Sequence, residues 1–380
     1  MDFKFSDREE LLRKSIREWA EKEITPRMEA MEETGKFPID LLTPMADMGI
    51  CGVITPKEYG GTGMGHLARI LVLEELGTVC PAIPMGMQVH HMCTYALNTF
   101  GTDEQKKKYL PGLARGEAMG VVAVTDPSGG SDVAGMQTSA KLEGDKYILN
   151  GRKCFITNSH VSDTWVVIAR TGEGRKGISA FIVEKGFKGA QTGREENKVG
   201  LRGANTGELV FQDCEVPKEN LLGNEGDGYT VAIQDITECG RPGMAAVALG
   251  ILNATLREAG KFANERTAYG NPISRLQMIQ VHLAEIFKNR ELARLATYRL
   301  GWMLDQGMPV PAESALAKSF ACEAAAQAAR RAIEIHGSYG IMKEYAVQRL
   351  LRDALVTIPA GGTGEIAKLV LSGAALKAES

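Results

Sequence analysis

The 380-residue sequence predicts an α+β protein of three domains: an N-terminal helical domain, a middle β-barrel or β-sandwich domain and a C-terminal helical bundle. Two observations support this fold class. Helical periodicity covers both ends of the chain, and short runs rich in β-branched and aromatic residues fill the middle. A Rossmann-like α/β fold would instead alternate strands with helices. We place the three domains at residues 1–117, 118–227 and 228–380.

Composition limits the classes of function. The formal net charge of -3 argues against a broad basic surface for nucleic acid. No run reaches about 18 apolar residues, so we expect no membrane span. The 7 cysteines form no C-x-x-C pair and the 6 histidines no i,i+4 pair, so we expect no metal site. Scattered thiols and an N-terminus too charged for a signal peptide indicate a cytoplasmic protein.

The first domain is predicted to be helical throughout. Ser6 and Glu9 have the spacing of a capping box, in which the serine caps an early amide and the glutamate reaches back. We expect two further helices at about residues 65–79 and 103–115, because their apolar residues recur at helical spacing. A more apolar segment lies between them at residues 82–100.

The middle domain is predicted from short strands bounded by clusters of Gly, Asn and Asp. The strands are expected at residues 120–124, 146–149, 165–169, 178–183 and 208–211. Asn150-Gly151 is a signal for the turn of a β-hairpin. Turn signals at these intervals are typical of a sandwich or barrel.

The third domain is predicted from helical periodicity that returns after about residue 228. The alanine-rich stretch at residues 315–335 has few helix breakers. Long, uninterrupted helices of this kind favour a helical bundle.

Five segments resemble motifs of the acyl-CoA dehydrogenase family of flavoproteins. They are VTDPSGGSD at 124–132, NGRKCFITN at 150–158, RTAYGNPI at 266–273 with Gln277 following, HGSYG at 336–340 and RDA at 352–354. Each motif alone is weak, but their order and spacing agree with the predicted helix–β–helix layout. The resemblance implies an FAD-dependent oxidoreductase that acts on the CH–CH bond of an acyl-CoA thioester. It also implies a homotetramer that passes electrons to an electron-transfer flavoprotein.

The resemblance implies which residues bind the cofactor and the substrate. For FAD they are Thr125, Ser131, Phe155, Thr157, Arg266, Tyr269, Gln277, Glu334, Gly337 and Thr363. For acyl-CoA they are Ser131, Glu238, Arg241 and Gly362. The chemistry is suitable, because hydroxyl groups can bond the polar edge of a flavin, Phe155 offers a flat wall and Arg266 can pair with phosphate. Gln277 would reach the cofactor across a subunit contact.

The sequence departs from the family at the residue that removes the proton alpha to the thioester carbonyl. Most relatives carry a glutamate there, in a stretch that matches AGGTGEI at 360–366, and its position is Gly361. A minority carry the glutamate just before the arginine of the helix that contacts CoA, and that position is Gly240. Gly361 keeps its amide as a donor to the thioester carbonyl. The missing side chains leave room for a cyclic or branched acyl group.

A replacement base is expected on the segment at residues 85–100, which resembles the helix that lines the acyl pocket in the family. It carries His90 and His91, and adjacent helical residues point about 100° apart, so at most one faces the substrate. His91 is the more unusual in this position and is the preferred candidate, because histidine can accept a proton near neutral pH. His90, Tyr95 and Glu365 are alternatives, and a structural role for both histidines remains open.

Three functions agree with this sequence. The first is dehydrogenation of an unusual, cyclic or branched acyl-CoA, or the reverse reduction of an enoyl-CoA. The second is a non-redox lyase similar to sulfinopropionyl-CoA desulfinases, which also lack the glutamate. Those enzymes hold the sulfinate with an arginine on the pocket helix, and no arginine occurs between residues 71 and 114 here. The third is a non-catalytic protein that binds acyl-CoA or flavin.

Overall fold

The computed structural model describes residues 4–378, and their helices and strands follow the predicted order. The N-terminal helices are α1 (Asp7–Glu23), α2 (Met28–Thr34), α3 (Leu42–Asp47), α4 (Gly65–Val79), α5 (Ala82–Phe100) and α6 (Asp103–Ala114). The predicted capping box is confirmed. The amide of Glu9 donates to Ser6 Oγ (3.3 Å), and the amide of Ser6 donates to Glu9 Oε2 (2.8 Å).

An eight-stranded sheet forms the middle of the chain. Its strands are β1 (Gly120–Ala123), β2 (Ser139–Glu143), β3 (Lys146–Thr157), β4 (Thr164–Arg170), β5 (Ile178–Glu184), β6 (Ala190–Glu195), β7 (Thr206–Pro217) and β8 (Leu221–Leu222). The order is β6-β7-β3-β2-β4-β5-β8, and β1 lies parallel to β4. Strands β2, β6 and the two-residue β8 are absent from the sequence prediction. Most residues of β2 and β6 are exposed or half-buried, so no apolar pattern marks them.

The hairpin turn predicted at Asn150-Gly151 is wrong. Strand β3 runs through both residues, and its register with β7 shifts there, which marks a β-bulge. Asn150 Oδ1 accepts the amide of Asp213 on β7 (2.8 Å), and its Nδ2 donates to the carboxylate of the same residue (3.1 Å). The chain instead turns between β2 and β3 at Gly144-Asp145. The Asn-Gly pair therefore supplies a bulge and a cross-strand contact.

The C-terminal part is a helical bundle, as predicted. Its elements are α7 (Gly228–Asp235), a π-helical turn (Ile236–Gly240), α8 (Arg241–Glu265), β9 (Thr267–Ala268), β10 (Asn271–Pro272), α9 (Gln277–Asp305), α10 (Pro311–His336), α11 (Ala346–Thr357) and α12 (Gly364–Ala378). The first half of α8 is buried on all sides between α4, α5 and α10. Because α8 begins directly after the π-helical turn, that turn is held against α5 by the packed helix.

All seven cysteines are reduced and buried. Burial raises the pKa of the Cys51 thiol to about 12 and that of Cys80 to about 11. Within residues 4–378, no helix is long and apolar enough to cross a membrane. The same residues contain no group of three or more side chains arranged to hold a metal ion.

A buried ion pair fixes the loop that follows β1. Lys153 on β3 and Asp126 on the loop are both buried, and the ammonium group contacts the carboxylate. The same ammonium donates to the carbonyl of Val124 (2.8 Å), and the carboxylate accepts the amides of Gln137 and Thr138 (both 2.7 Å). Burial lowers the pKa of Lys153, and the Asp126 carboxylate opposes that change. Removing either partner would leave the other as an uncompensated buried charge.

We expect Lys153→Met to lower the free energy of unfolding by about 3–5 kcal/mol, because Asp126 then loses its buried cation. Urea denaturation followed by circular dichroism measures the change. Lys141 pairs with Glu143 on the surface of the same sheet and is the matched control. Lys141→Met should leave the midpoint almost unchanged. Equal losses in the two variants would contradict the special role of the buried pair.

Candidate active site

Two glycines adjoin one space at the start of α8. A Cβ atom built on Gly361 would lie 3.9 Å from the carbonyl carbon and oxygen of Gly240 and 3.2 Å from Cγ of Met244. These glycines are the two positions at which the family resemblance places a glutamate. The two positions are therefore neighbours, a Cβ built on Gly240 would lie 3.1 Å from Cε of Met92, and neither residue supplies a carboxylate. We call the region between Gly240, Gly361, Met92 and Met244 the glycine space.

A buried lysine holds the loop that carries Gly361. Lys318 on α10 is buried, and its ammonium donates to the carbonyls of Ile358 (2.5 Å) and Gly362 (2.7 Å). Gly361 and Gly362 have φ angles of +68° and +100°, which favour glycine. Burial lowers the pKa of Lys318. Sequence analysis missed this residue, although a single lysine in a long alanine-rich segment was a visible signal.

Arg241 lies beside this loop with its guanidinium free. It is 8% exposed and makes no hydrogen bond or ion pair with any residue in the range 4–378. A Cβ atom built on Gly362 would lie 3.8 Å from its Nε and Nη2 atoms. Burial lowers its pKa. An unpaired guanidinium at this depth suits a ligand rich in anionic or carbonyl oxygens, as the resemblance implies for CoA.

A tyrosine and a glutamate lie about one helical turn from the glycine space. Tyr95 on α5 donates its hydroxyl to Glu238 Oε2 in the π-helical turn (2.5 Å), and Gln234 Nε2 donates to the Tyr95 hydroxyl (3.2 Å). Burial and the Glu238 hydrogen bond raise the pKa of Tyr95. Met92 precedes Tyr95 by one turn, about 5 Å along the helix, and its Cε lies 3.1 Å from a Cβ built on Gly240.

Both histidines of α5 are buried, and each accepts a hydrogen bond from another residue at Nδ1. His91 donates from Nε2 to the carbonyl of Ile50 (2.8 Å) and accepts from Nε of Arg69 at Nδ1 (3.3 Å). His90 accepts the amide of Gly120 at Nδ1 (3.2 Å). Burial lowers the pKa of His90 to about 4 and that of His91 well below its usual range. The assignment of His91 as the base stays a prediction, and these hydrogen bonds favour a structural role instead.

The predicted cofactor residues of the middle domain lie on two joined segments. The amide of Cys154 on β3 donates to the carbonyl of Thr125 on the loop after β1 (2.9 Å). Within residues 4–378, the hydroxyls of Thr125, Ser131 and Thr157 have no hydrogen-bond partner, and Phe155 is 66% exposed at a φ of +57°. Free hydroxyls beside an uncovered aromatic ring fit the polar edge and the face of a flavin. These residues therefore fit FAD.

The remaining predicted cofactor residues lie in the helical bundle, where no hydrogen bond or ion pair between described residues links them to the Thr125 segment. Arg266 follows α8, whose 25 residues separate it from Arg241 by roughly 37 Å. Its guanidinium lies 5.6 Å from the ring centroid of Tyr339. The other residues of this group are Tyr269, which is 91% exposed, Gln277 at the start of α9, Glu334 and Gly337 at the end of α10, and Thr363, whose Oγ1 accepts the amide of Ile366 (3.4 Å).

A polar cleft of about 990 Å³ lies elsewhere, next to α2 and α11. None of the predicted site residues lines it. Its walls carry charges that pair with each other, as Arg352 Nη1 and Glu32 Oε1 do at 2.6 Å. The nearly buried guanidinium of Arg241 and unpaired buried atoms of Arg69, Gln88 and Asp235 lie instead on the helices around the glycine space, which is therefore the candidate active site.

Comparison with known families gives three matches that together span most of the chain. The descriptions are Acyl-CoA dehydrogenase, N-terminal domain, for residues 6–117; Acyl-CoA dehydrogenase, middle domain, for residues 121–214; and Acyl-CoA dehydrogenase, C-terminal domain, for residues 226–376. The resemblance inferred from the five motifs is confirmed by these matches.

Individual relatives are similar over nearly their whole length. A short-chain specific acyl-CoA dehydrogenase of Clostridium acetobutylicum is 41% identical over 98% of this chain and 99% of its own. An acryloyl-CoA reductase (NADH) of Anaerotignum propionicum is 38% identical over 99% of this chain and 96% of its own. A solved structure described as the electron transferring flavoprotein of Acidaminococcus fermentans contains a chain with a TM-score of 0.97 and 40% identity, covering 99% of this chain and 100% of that one.

We expect the free energy of unfolding to fall between pH 7 and pH 5, in part because His90 gains a proton when the protein unfolds. Its pKa is about 4 in the folded protein and about 6.5 in an unfolded chain. The unfolded state therefore binds more protons in this window, and stability is lost as the pH falls, by up to about 1.4 kcal/mol per unit.

His90→Asn keeps an oxygen that can accept the amide of Gly120 but removes the titration. Urea denaturation at pH 7, 6 and 5 should therefore give a smaller loss of stability for this variant than for the wild type. A variant that loses stability with the wild-type slope would show that His90 does not contribute.

Proposed function

Since this chain belongs to the acyl-CoA dehydrogenase family, we propose that it oxidises the Cα–Cβ bond of an unusual, cyclic or branched acyl-CoA or reduces the corresponding enoyl-CoA. Membership makes it an FAD-dependent oxidoreductase of acyl-CoA CH–CH bonds. One observation supports the finer proposal: both glutamate positions of the family, Gly240 and Gly361, are glycine and adjoin one space. A straight-chain substrate does not need that room.

The residues around this space suit a thioester. The amide of Gly361 donates to no described residue, so it is free to bond the thioester carbonyl. One such donor contributes about 3 kcal/mol to an enolate-like transition state. Lys318 fixes that amide through the carbonyls on either side of it, and Arg241 offers a free guanidinium to the CoA moiety. FAD, when bound, supplies the hydride acceptor or donor.

We propose that the proton moves through Tyr95 and Glu238. Their short hydrogen bond joins α5 to the π-helical turn about one turn from the glycine space, and both side chains are half-buried rather than fully enclosed. A carboxylate within reach of the substrate is the usual partner in this kind of proton transfer. His91 is less suitable, because its lone pair already accepts from Arg69.

Two partners are included in the proposal. A homotetramer would bring the exposed Arg266, Tyr269 and Gln277 of one copy to the cofactor of another, since Arg266 lies roughly 37 Å along α8 from Arg241. An electron-transfer flavoprotein would exchange electrons with the flavin, and the similarity to a chain solved in such a system supports this. The cytoplasmic location stays a prediction.

A lyase related to the desulfinases is the second candidate. The observation that favours it is Arg69 on α4, which is not on the pocket helix but donates from Nε to Nδ1 of His91 on α5. A non-catalytic acyl-CoA or flavin carrier is the third alternative, which the following assay also tests.

We expect FAD-loaded protein to lose its flavin absorbance when mixed anaerobically with a cyclic or branched acyl-CoA, because the thioester gives up a hydride. Stopped-flow absorbance over a panel of straight, branched and cyclic acyl-CoA and enoyl-CoA thioesters measures this, with dithionite-reduced protein for the enoyl-CoA thioesters. The panel also contains 3-sulfinopropionyl-CoA, which can release sulfite. Sulfite release without loss of absorbance would indicate the lyase. Binding spectra without either change would indicate a carrier. Both results would contradict the oxidoreductase proposal.

We expect Gly240→Glu to raise the rate of flavin reduction by butyryl-CoA by at least about a hundredfold, the lower part of the range for a positioned general base. Gly240 has a helical φ of -64°, so a side chain fits its backbone, whereas Gly361→Glu places one at a φ of +68°. The Cβ would lie 3.1 Å from Cε at the flexible end of Met92 and 3.7 Å, an ordinary contact, from the carbonyl oxygen of Asp235. Gly240→Gln is the matched control and should give no gain.

We expect Glu238→Gln to slow the exchange of the substrate's alpha proton with D2O by at least about tenfold, because the amide cannot take up the proton. Mass spectrometry of recovered thioester measures the exchange separately from hydride transfer. His91→Asn is the comparison. If His91→Asn slows the exchange and Glu238→Gln does not, the proton passes through the histidine and our assignment is wrong.

A further inference from the structure

A cluster of buried polar groups without partners lies behind the glycine space. Arg69 on α4 is 0% exposed, and its Nη1 and Nη2 atoms have no hydrogen-bond partner among the described residues. The same is true of Gln88 Oε1 on α5 and of both carboxylate oxygens of Asp235 on α7. Buried polar atoms are nearly always bonded in folded proteins, and a buried unpaired guanidinium costs several kcal/mol. The cluster therefore calls for a partner.

The cluster is continuous with the active site. Met244 lies against Gly361, and its sulfur accepts from Nε2 of Gln88 (3.6 Å). A Cβ built on Gly243, one residue earlier on α8, would lie 2.7 Å from Gln88 Oε1 and 2.6 Å from Arg69 Nη2. Glycine at 243 thus lets the guanidinium approach the backbone of α8. Met244, Gln88 and Arg69 thus follow one another by direct contacts from Gly361 across the start of α8.

Only part of Arg69 is held by the protein. Its Nε donates to Nδ1 of His91 (3.3 Å), which fixes the direction of the guanidinium and leaves its two terminal nitrogens free. His91 therefore positions Arg69, and this hydrogen bond occupies the lone pair of its Nδ1 atom. The terminal nitrogens form the fork that binds a carboxylate or a similar anion with two hydrogen bonds.

Asp235 does not neutralise this fork. It forms no ion pair with Arg69 within 4.0 Å, although the two side chains are close enough for the guanidinium to influence the carboxyl group. Burial raises the pKa of Asp235 well above its ordinary range, which favours the protonated form, while Arg69 opposes that change. A protonated carboxylic acid can donate a hydrogen bond to an anion instead of repelling it. Burial lowers the pKa of both histidines nearby, which favours their neutral forms.

We propose that the substrate's acyl group ends in an anion, a carboxylate or a sulfinate, which Arg69 binds between α4, α5 and the start of α8. This inference rests on the proposed function and specifies the class of substrate. A buried positive charge without an ion-pair partner matches one negative charge on the ligand. Asp235, when protonated, would donate to an oxygen that the guanidinium does not reach.

Binding to FAD-loaded protein tests this proposal. Flavin spectral titrations give the Kd values of succinyl-, glutaryl- and adipyl-CoA, of the neutral amide analogue of each, and of 3-sulfinopropionyl-CoA. The wild type should bind at least one anionic thioester at least about tenfold more tightly than its amide analogue, as expected for hydrogen bonds to a charged group. Comparison of the carboxylate and sulfinate thioesters identifies which anion is preferred.

The same titrations on variants of Arg69 and Asp235 provide the second part of the test. Arg69→Met should remove the preference for the anion, and Arg69→Lys should keep part of it, because one donor and the charge remain. Asp235→Asn retains a donor and should keep the preference within about threefold. These are binding readouts, so they do not require turnover.

Three results would overturn the proposal. The first is a wild type with no preference for any anionic thioester, which would indicate a fork satisfied by water or by ionised Asp235. The second is a preference that survives in folded Arg69→Met. The third is a preference that arises only in Asp235→Asn. In each case neutral acyl-CoA thioesters could still bind and be oxidised, so the proposed function would stand. Failure of every thioester to perturb the flavin would refute the proposed function itself.

Discussion

The candidate active site depends on the ammonium of Lys318, which binds two carbonyls of the loop before α12. Those carbonyls, of Ile358 and Gly362, flank the residues that face the start of α8. A lysine in this position cannot be exchanged for an apolar residue without leaving two carbonyl oxygens buried and unpaired. Everything that the site offers a thioester, including the free amide of Gly361 and the nearness of Arg241, follows from where this one cation holds the backbone.

The second constraint is electrostatic. Lys318, Arg241 and Arg69 surround the space beside Gly361 and Met244, and burial lowers the pKa of the first two. The acids of this region are Asp235, whose pKa burial raises, Glu238, which is bonded to Tyr95, and Glu323 and Glu365, which interact with Lys318. Such a region favours a ligand that brings negative charge, and CoA thioesters do so. Arg241 and Arg69 have nitrogen atoms without a partner among the described residues, and these suit the negative charge of such a ligand.

Much of this architecture could be predicted from local pattern. The capping box at Ser6, the helices at residues 65–79 and 103–115 and the order of the domains follow from spacing that acts over a few residues. The Asn150-Gly151 prediction failed because the same dipeptide suits a bulge, and only the partner across the sheet, Asp213, decides between them. A pattern of neighbouring residues does not reveal that partner, because Asp213 lies far away in the sequence.

The site was predictable only in part, for a related reason. Sequence motifs identified residues whose polar groups lack a partner among the described residues, such as Thr125 and Arg241. They did not identify which face of α5 packs against α8. Gln88, Met92 and Tyr95 form that face, and His91 lies beside it, facing Arg69. The sequence does contain a signal for Arg69, since this residue interrupts a run of apolar residues on α4 and charged residues are rarely buried unless they are paired. Its contact with α5 could be found only from the packed structure.

The buried cysteines have a practical consequence for anyone who handles this protein. A thiol reacts as the thiolate, and enclosure keeps the Cys51, Cys214 and Cys239 sulfurs protonated, with pKa values of about 12 each. A thiol-reactive dye therefore labels these sulfurs only in molecules that have opened. Because the cysteines are distributed over all three parts of the chain, the labelling rate at each one reports how often its own surroundings come apart.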